Sequence, residues 1–129
     1  MAGLDFFRFF MAKAAELRPD RVHINYALQT NGLVLNDEWA EFLAANQVLV
    51  GISLDGTKEL HDNTRLDAKG KGTWNRVTAA LHVLQKHDVE VNLLCVVNRA
   101  VARSPQKSLC FAEKNWRPAF AVHCLPGSH

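Results

Sequence analysis

The sequence predicts an α/β protein in which three parallel strands alternate with helices, as in a segment of a β/α barrel or a doubly wound sheet. Apolar runs with strand character are separated by stretches of helical periodicity, and each run ends in polar residues. Because the carboxyl ends of parallel strands lie at one edge of a sheet, these polar residues should share a rim. Ligands bind at that rim in such folds.

Composition narrows the class of protein and of partner. The chain has 129 residues, 48% of them hydrophobic, which is the size of one domain with a buried core. A net charge of +2 with scattered Lys and Arg residues argues against a nucleic-acid surface. No apolar run approaches the roughly 20 residues of a membrane span. Three cysteines without a close pair fit a reducing compartment, so we expect a cytoplasmic protein with neither nucleic acid nor membrane as partner.

The amino-terminal part predicts a helix and then a strand. Apolar residues at steps of three and four indicate a helix over residues 4–17, and Phe6, Phe9 and Phe10 form a second apolar face on it. A helix that is apolar on two sides is expected to be covered on both. The alternating run over residues 22–28 predicts the first strand, which Gln29 and the residues up to Gly32 are expected to end.

Two further βα units follow. Asn36 is a suitable N-cap for a helix to about residue 46, and the apolar run over residues 48–52 predicts the second strand. Thr73 is the predicted cap of a helix that ends near His87, and residues 89–97 predict the third strand. We expect the crossover between the first two strands to be right-handed.

The carboxyl-terminal part is the least regular. Ser104 and Pro105 are typical of a helix start, and this helix is expected to reach about residue 115. Beyond Trp116 no periodicity indicates a further element. We therefore divide the chain into residues 1–103, the βα segment, and residues 104–129, a helix with an irregular tail.

Polar residues that follow the second strand are the first candidates for a binding site. Ser53 and Asp55 come directly after the apolar run, and the segment after them extends to Arg65. His61 and Asp62 are interpreted as part of a surface loop, although a polarised imidazole is the alternative. The glycines match neither GxGxxG nor a phosphate loop, and the His and Cys residues lack zinc spacing, so no metal site is predicted.

Several motifs together resemble one family. QTNG, LNDEWAEFL, LVGISLDG, ELHD with Arg65, and LLCVVNR occur in the order found in anaerobic sulfatase-maturating enzymes, which are radical S-adenosylmethionine (SAM) enzymes of the SPASM type. The resemblance covers about residues 3–102, and the tail from residue 104 is much less similar. It implies a partial (β/α)6 radical-SAM-type barrel, whose complete form binds a 4Fe-4S cluster and SAM and oxidises a Cys or Ser of a sulfatase peptide to formylglycine.

The resemblance also implies roles for residues on the rim. Ser53 and Arg65 match residues that hold the methionine part of SAM, and an Arg fork suits a carboxylate. Gln29, Asn31 and Asp55 lie on the same predicted rim and are expected to line the region of the adenosyl group or the substrate peptide. The alternatives remain open: a strand-end serine, a solvated arginine, and Gln29 and Asn31 as ordinary turn residues before a glycine.

One family motif is absent from the sequence. No Cys-x3-Cys-x2-Cys occurs, so neither a 4Fe-4S cluster nor a catalytic residue is expected here, and the chain resembles an internal fragment. Three hypotheses follow: a truncated relative that keeps part of the SAM pocket but is inactive alone; a non-catalytic module that associates with itself or a complementing chain through open barrel edges; and a truncated, frameshifted gene product without function, its tail out of frame after residue 102.

Overall fold

The computed structural model describes residues 3–97, 99–103, 106 and 121–126. Helices and strands alternate along the chain in the order α1 (Leu4–Leu17), β1 (Ala27–Thr30), α2 (Asp37–Ala45), β2 (Leu49–Ser53), α3 (Lys58–Thr64), α4 (Trp74–Lys86), β3 (Val91–Val97), α5 (Arg99–Ala102) and β4 (Ala121–Pro126). The strands form one parallel sheet in the order β1-β2-β3-β4. The predicted α/β class with parallel strands and flanking helices is therefore confirmed.

The fourth strand was not predicted. β4 pairs with β3 over the whole of its length, from Ala121 opposite Asn92 to Pro126 opposite Val97. Its sequence is short and ends at a proline, so local pattern gave no strand signal, and pairing with β3 supplies the order. The helix predicted from residue 104 to about residue 115 lies almost wholly outside the described residues.

The core lies between the sheet and two helices. Val50 and Ile52 alternate with less buried residues along β2, so one face of this strand is buried. That face packs in one hydrophobic cluster with α2 and α4, to which the helices contribute Trp39, Ala40, Leu43, Val77, Ala80, Leu81 and Leu84. The buried residues of α4 recur at steps of three and four, so one face of this helix packs against the sheet.

The first strand begins later than predicted. Residues 22–26 have strand-like alternation but are not in the sheet, and β1 instead contains Gln29 and Thr30, which were expected to end it. The register explains the shift, because Ala27 pairs with Leu49 and Thr30 with Ile52. Pairing to β2 therefore sets the length of β1, and intrinsic strand propensity does not.

Helix α1 has the predicted bounds but not the predicted burial. No residue of α1 is buried, and Phe6, Phe9 and Phe10 are each more than half exposed. Only Leu4, Phe7 and Met11 pack against the core cluster. Within the described part of this chain only one apolar face of α1 has a partner, and the expectation that both faces are covered, as in an interior part of something larger, stays a prediction.

Candidate functional site

Ser53 and Asp55 lie where β2 ends, at the carboxyl rim, which we define as the sheet edge formed by the last residues of β1 and β2, Thr30 and Ser53. Ser53 is the last residue of β2 and is partly exposed. It lies on the strand face opposite Val50 and Ile52, together with Gly51. Ser53, at the polar end that the sequence predicted for this strand, thus lies on the sheet face that is not covered by α2 and α4.

Because Gly51 has no side chain, it leaves a shallow depression on that face. A Cβ atom at this position would lie 3.4 Å from Cδ1 of Leu94 and 3.6 Å from Cγ of Gln29, so both side chains flank the bare backbone. Gly51 pairs with Gln29 on β1 and with Asn92 on β3. We call this surface, made by Gln29, Gly51, Ser53, Asn92 and Leu94, the Gly51 face.

Asp55 and Arg65 form an ion pair beside the rim. Nε of Arg65 donates to Oδ2 of Asp55 at 2.6 Å, and Nη2 donates to Oδ1 at 3.4 Å. The Asp55 side chain is 6% exposed and that of Arg65 30% exposed. Nη1 of Arg65 donates to no other described residue. The guanidinium is therefore held by a buried carboxylate, in a side chain that stays partly exposed.

His61 is buried, which contradicts its interpretation as a surface-loop residue. It lies in α3, has no solvent exposure, and uses both ring nitrogens. The backbone N–H of Asp55 donates to Nδ1 at 3.2 Å, and Nε2 lies 2.9 Å from Oγ1 of Thr73. Burial lowers the pKa of His61 from the usual 6.5, the nearby Arg65 lowers it further, and Asp55 and Asp62 oppose the change. The imidazole is thus held in its neutral form.

The side chain that caps α4 is that of Asp62 and not, as the sequence predicted, that of Thr73. Thr73 precedes α4 but makes no side-chain cap; its hydroxyl donates to the carbonyl of Arg65 at 2.7 Å. Oδ1 of Asp62 instead accepts the N–H of Trp74 at 2.8 Å and caps the helix. Burial opposes ionisation of Asp62, but this N–H and the Lys58 ammonium outweigh it, so its pKa lies below the usual value.

The two remaining candidates, Asn31 and Gln29, make no described contact with the pair of Asp55 and Arg65. Oδ1 of Asn31 accepts the N–H of Leu33 at 3.1 Å, which is a turn-forming contact. Gln29 is exposed on the Gly51 face. The structure therefore brings Asp55 and Arg65 into contact, leaves Ser53 and Gln29 on the neighbouring sheet face, and places Asn31 in a turn after β1.

His61 and Thr73 were missed as parts of the site. A usable signal existed for His61: it lies four residues after Thr57, the residue before α3, so it can face the same side as the start of that helix. Thr73 offered no comparable signal, because its partners are 8 and 12 residues away along the chain.

The described residues do not fit an iron–sulfur cluster. Among them, no group of three or more His, Cys, Asp or Glu side chains could hold a metal ion. Cys95 is buried in β3. Within the same part of the chain, none of the helices is both long and apolar enough to cross a membrane.

The fold and the rim define the class of protein. The family model of the radical SAM superfamily matches residues 3–102, and the chain belongs to that superfamily. Within it, the chain is homologous to the anaerobic sulfatase-maturating enzymes. It is 41% identical over 126 residues to the cysteine-type enzyme of Clostridium novyi, an alignment that covers 97% of this chain and 34% of that protein.

A serine-type relative and a solved structure agree with this placement. The serine-type enzyme of Bacteroides thetaiotaomicron is 41% identical over 99 residues, which covers 74% of this chain and 24% of that protein. The structure of native anSMEcpe with bound AdoMet and Cp18Cys peptide superposes with a TM-score of 0.90 at 36% identity, over 97% of this chain and 34% of that one. The chain spans about a third of the length of the Clostridium novyi enzyme and of the solved chain, and about a quarter of the Bacteroides thetaiotaomicron enzyme.

Proposed function

We propose that this chain forms the part of a sulfatase-maturase-type barrel that binds the methionyl end of SAM, with Ser53 and Arg65 as the carboxylate-binding residues. The observation that carries the proposal is the partly exposed side chain of Arg65, whose guanidinium is fixed by Asp55, two residues beyond the end of β2. A planar fork with a remaining donor suits a carboxylate, and the Ser53 hydroxyl is a second donor on the same strand end. A relative of similar fold was solved with AdoMet bound.

Asp55 supports this assignment although its charge opposes a second carboxylate. Its two oxygens occupy Nε and Nη2 of Arg65, which orients the guanidinium and leaves Nη1 for a ligand. SAM also carries a sulfonium and an ammonium, so the pair of carboxylates would face balancing positive charge. Gln29 on the Gly51 face and Asn31 are proposed to lie toward the adenosyl group or the substrate peptide.

The chain is proposed to bind and orient SAM without cleaving it. In radical SAM enzymes the bound cofactor supplies a 5'-deoxyadenosyl radical, which requires a reduced cluster, and the residues of this chain do not fit that cluster. We therefore assign no catalytic step to them. Anaerobic reconstitution with iron and sulfide should give no stoichiometric 4Fe-4S spectrum, and such a spectrum would contradict the proposal.

A calorimetric comparison of two ligands tests the SAM site. 5'-Methylthioadenosine shares the adenosyl part of SAM but has no carboxylate. Arg65→Lys keeps a positive charge beside Asp55 but loses the fork, so affinity for SAM should fall about tenfold while affinity for 5'-methylthioadenosine stays unchanged. Arg76→Lys is the matched control, since Arg76 also pairs with an aspartate, Asp67, at 3.5 Å. Equal SAM affinity in Arg65→Lys and the parent chain would overturn the assignment.

Exposed phenylalanines favour a second candidate function, association with a second copy or with a complementing chain. Phe6, Phe9 and Phe10 are exposed on α1, and an apolar cavity lies between this helix and β1, lined in part by Tyr26 and Leu28. β1 is also at the end of the sheet. Sedimentation should show oligomers that Phe9→Ser weakens, and a strictly monomeric parent chain would exclude self-association.

A further inference from the structure

His61 is part of a series of buried hydrogen bonds, none of which is among the proposed contacts to the ligand. Its Nδ1 accepts the backbone N–H of Asp55, so the ring proton lies on Nε2. That N–H donates to Oγ1 of Thr73 at 2.9 Å, and the Thr73 hydroxyl donates to the carbonyl of Arg65 at 2.7 Å. Both His61 and Thr73 are buried, and each polar atom of the two side chains has a partner.

The two ends of this chain are the backbones of the ion pair. Asp55 N–H lies at one end and the Arg65 carbonyl at the other, and the side chains of the same two residues meet at 2.6 Å. Arg65 N–H also donates to the carbonyl of His61 at 2.9 Å, and the ring of Trp74 packs edge-on against the imidazole at 5.6 Å. The imidazole therefore fixes the separation between the backbones that carry the carboxylate and the guanidinium.

We propose that His61 and Thr73 are positioning residues, which set the direction of the Arg65 guanidinium at the carboxyl rim by tying the Asp55 and Arg65 backbones to one neutral imidazole. The proposal rests on the proposed function for its ligand, the carboxylate of SAM. Neither residue touches the ligand. Their effect passes through the backbone to Arg65.

The chemistry of the site requires the neutral ring. A proton on Nδ1 would face the N–H of Asp55, so two donors would meet and the link would open. The charged groups that face the imidazole are Asp55, Arg65 and Asp62, and the first two neutralise each other. SAM affinity should therefore decrease on acidification in the parent chain.

Thr73→Val is the sharpest test, because it removes the hydroxyl and keeps the shape. We expect SAM affinity to fall at least about threefold, because both hydrogen bonds of the hydroxyl are lost and the link between the two backbones opens, while affinity for 5'-methylthioadenosine is unchanged. Thr73→Ser restores the hydroxyl and should restore SAM affinity. Thr78→Val is the matched control, since the Thr78 hydroxyl bonds only to the backbone of α4, at Trp74 and Asn75.

A second readout does not depend on the ligand. The Nε–H of Arg65, held by Asp55, should give a discrete NMR signal in the parent chain, and this signal should shift or broaden in Thr73→Val but not in Thr73→Ser or Thr78→Val. A variant that merely lowers global stability would leave the signal of its folded molecules unchanged. Retention of the parent signal and of SAM affinity in folded Thr73→Val would overturn the proposal. If the parent chain fails to bind SAM, the proposed function fails, and the NMR comparison alone decides the positioning role.

Discussion

At the scale of single residues, a few polar side chains between Asp55 and Thr73 connect the end of β2, helix α3 and the start of α4. His61 links two backbones, Asp62 caps α4, and Arg65 pairs with Asp55. Each of these contacts is buried or partly buried, where a lost partner costs about 1–3 kcal/mol. Replacing one of these polar residues should therefore lower stability more than replacing a polar residue on an exposed helix surface.

The buried imidazole predicts a pH dependence of folding. Because the pKa of His61 is lowered in the folded chain, the unfolded chain binds more protons once the pH falls below the usual 6.5. The contribution of His61 is thus fully present above about pH 6.5 and is lost as the pH falls from there toward the folded-state pKa. Urea unfolding between about pH 7.5 and about pH 5 should show this decrease, and His61→Gln should flatten it.

The matched variant for this measurement is His23→Gln, which changes an exposed side chain in the segment before β1. It should leave the decrease in place. A parent chain whose stability stays constant or rises on acidification would show that His61 is not held neutral.

At the scale of elements, the local sequence pattern predicted the bounds and caps of helices but not the pairing of strands or the packing between elements. The bounds of α1 and the Asn36 cap of α2, which accepts the Trp39 N–H at 3.0 Å, follow from local pattern and are confirmed. The start of β1 and the whole of β4 depend on pairing with a neighbouring strand, which a local pattern does not contain. The burial of His61 likewise depends on α4, 12 residues farther along the chain at Thr73.

The cap of α4 predicts a strong effect at Gly72. A Cβ atom there would overlap the Asp62 carboxylate, whose Oδ1 would lie 2.7 Å away, so Gly72→Ala must displace the group that caps Trp74. We expect a loss of about 1–2 kcal/mol of stability, as for other lost caps, measured by urea unfolding. Gly3→Ala is the control: a Cβ atom there would lie within 4 Å of no other atom and the φ of −71° suits any residue, so the loss should be about 0.5 kcal/mol or less. Equal losses in both variants would mean that the cap tolerates displacement.

At the scale of the whole molecule, the packing is uneven between the centre of the sheet and its β1 end. α4 contributes Trp74, Val77, Ala80, Leu81 and Leu84 to the core, whereas α1 contributes no buried residue. Local stability follows the number of buried apolar contacts. We infer that the region of β1 and α1 opens while the centre of the sheet remains folded.

Hydrogen exchange should reveal this difference. In dilute solution the amides of α1 should exchange at least about tenfold faster than those of α4, since they open without unfolding the core. Mass spectrometry of peptides from the two helices measures both rates in one sample. Equal protection of α1 and α4 in a monomer would contradict the inference that the region of β1 and α1 opens by itself. Protection of α1 that appears only at high protein concentration would support association through Phe6, Phe9 and Phe10.

The bare backbone at Gly51 limits what evolution or engineering can place there. Since a methyl group added at this position would lie 3.4 Å from Leu94 and 3.6 Å from Gln29, it fits at ordinary contact distance, but any longer side chain would have to project away from the sheet. A branched residue would thus fill the depression beside Ser53 while leaving the helix-packed side of β2 untouched. Occupancy of that depression could therefore be varied by a graded series of side chains, independently of the forces that keep the chain folded.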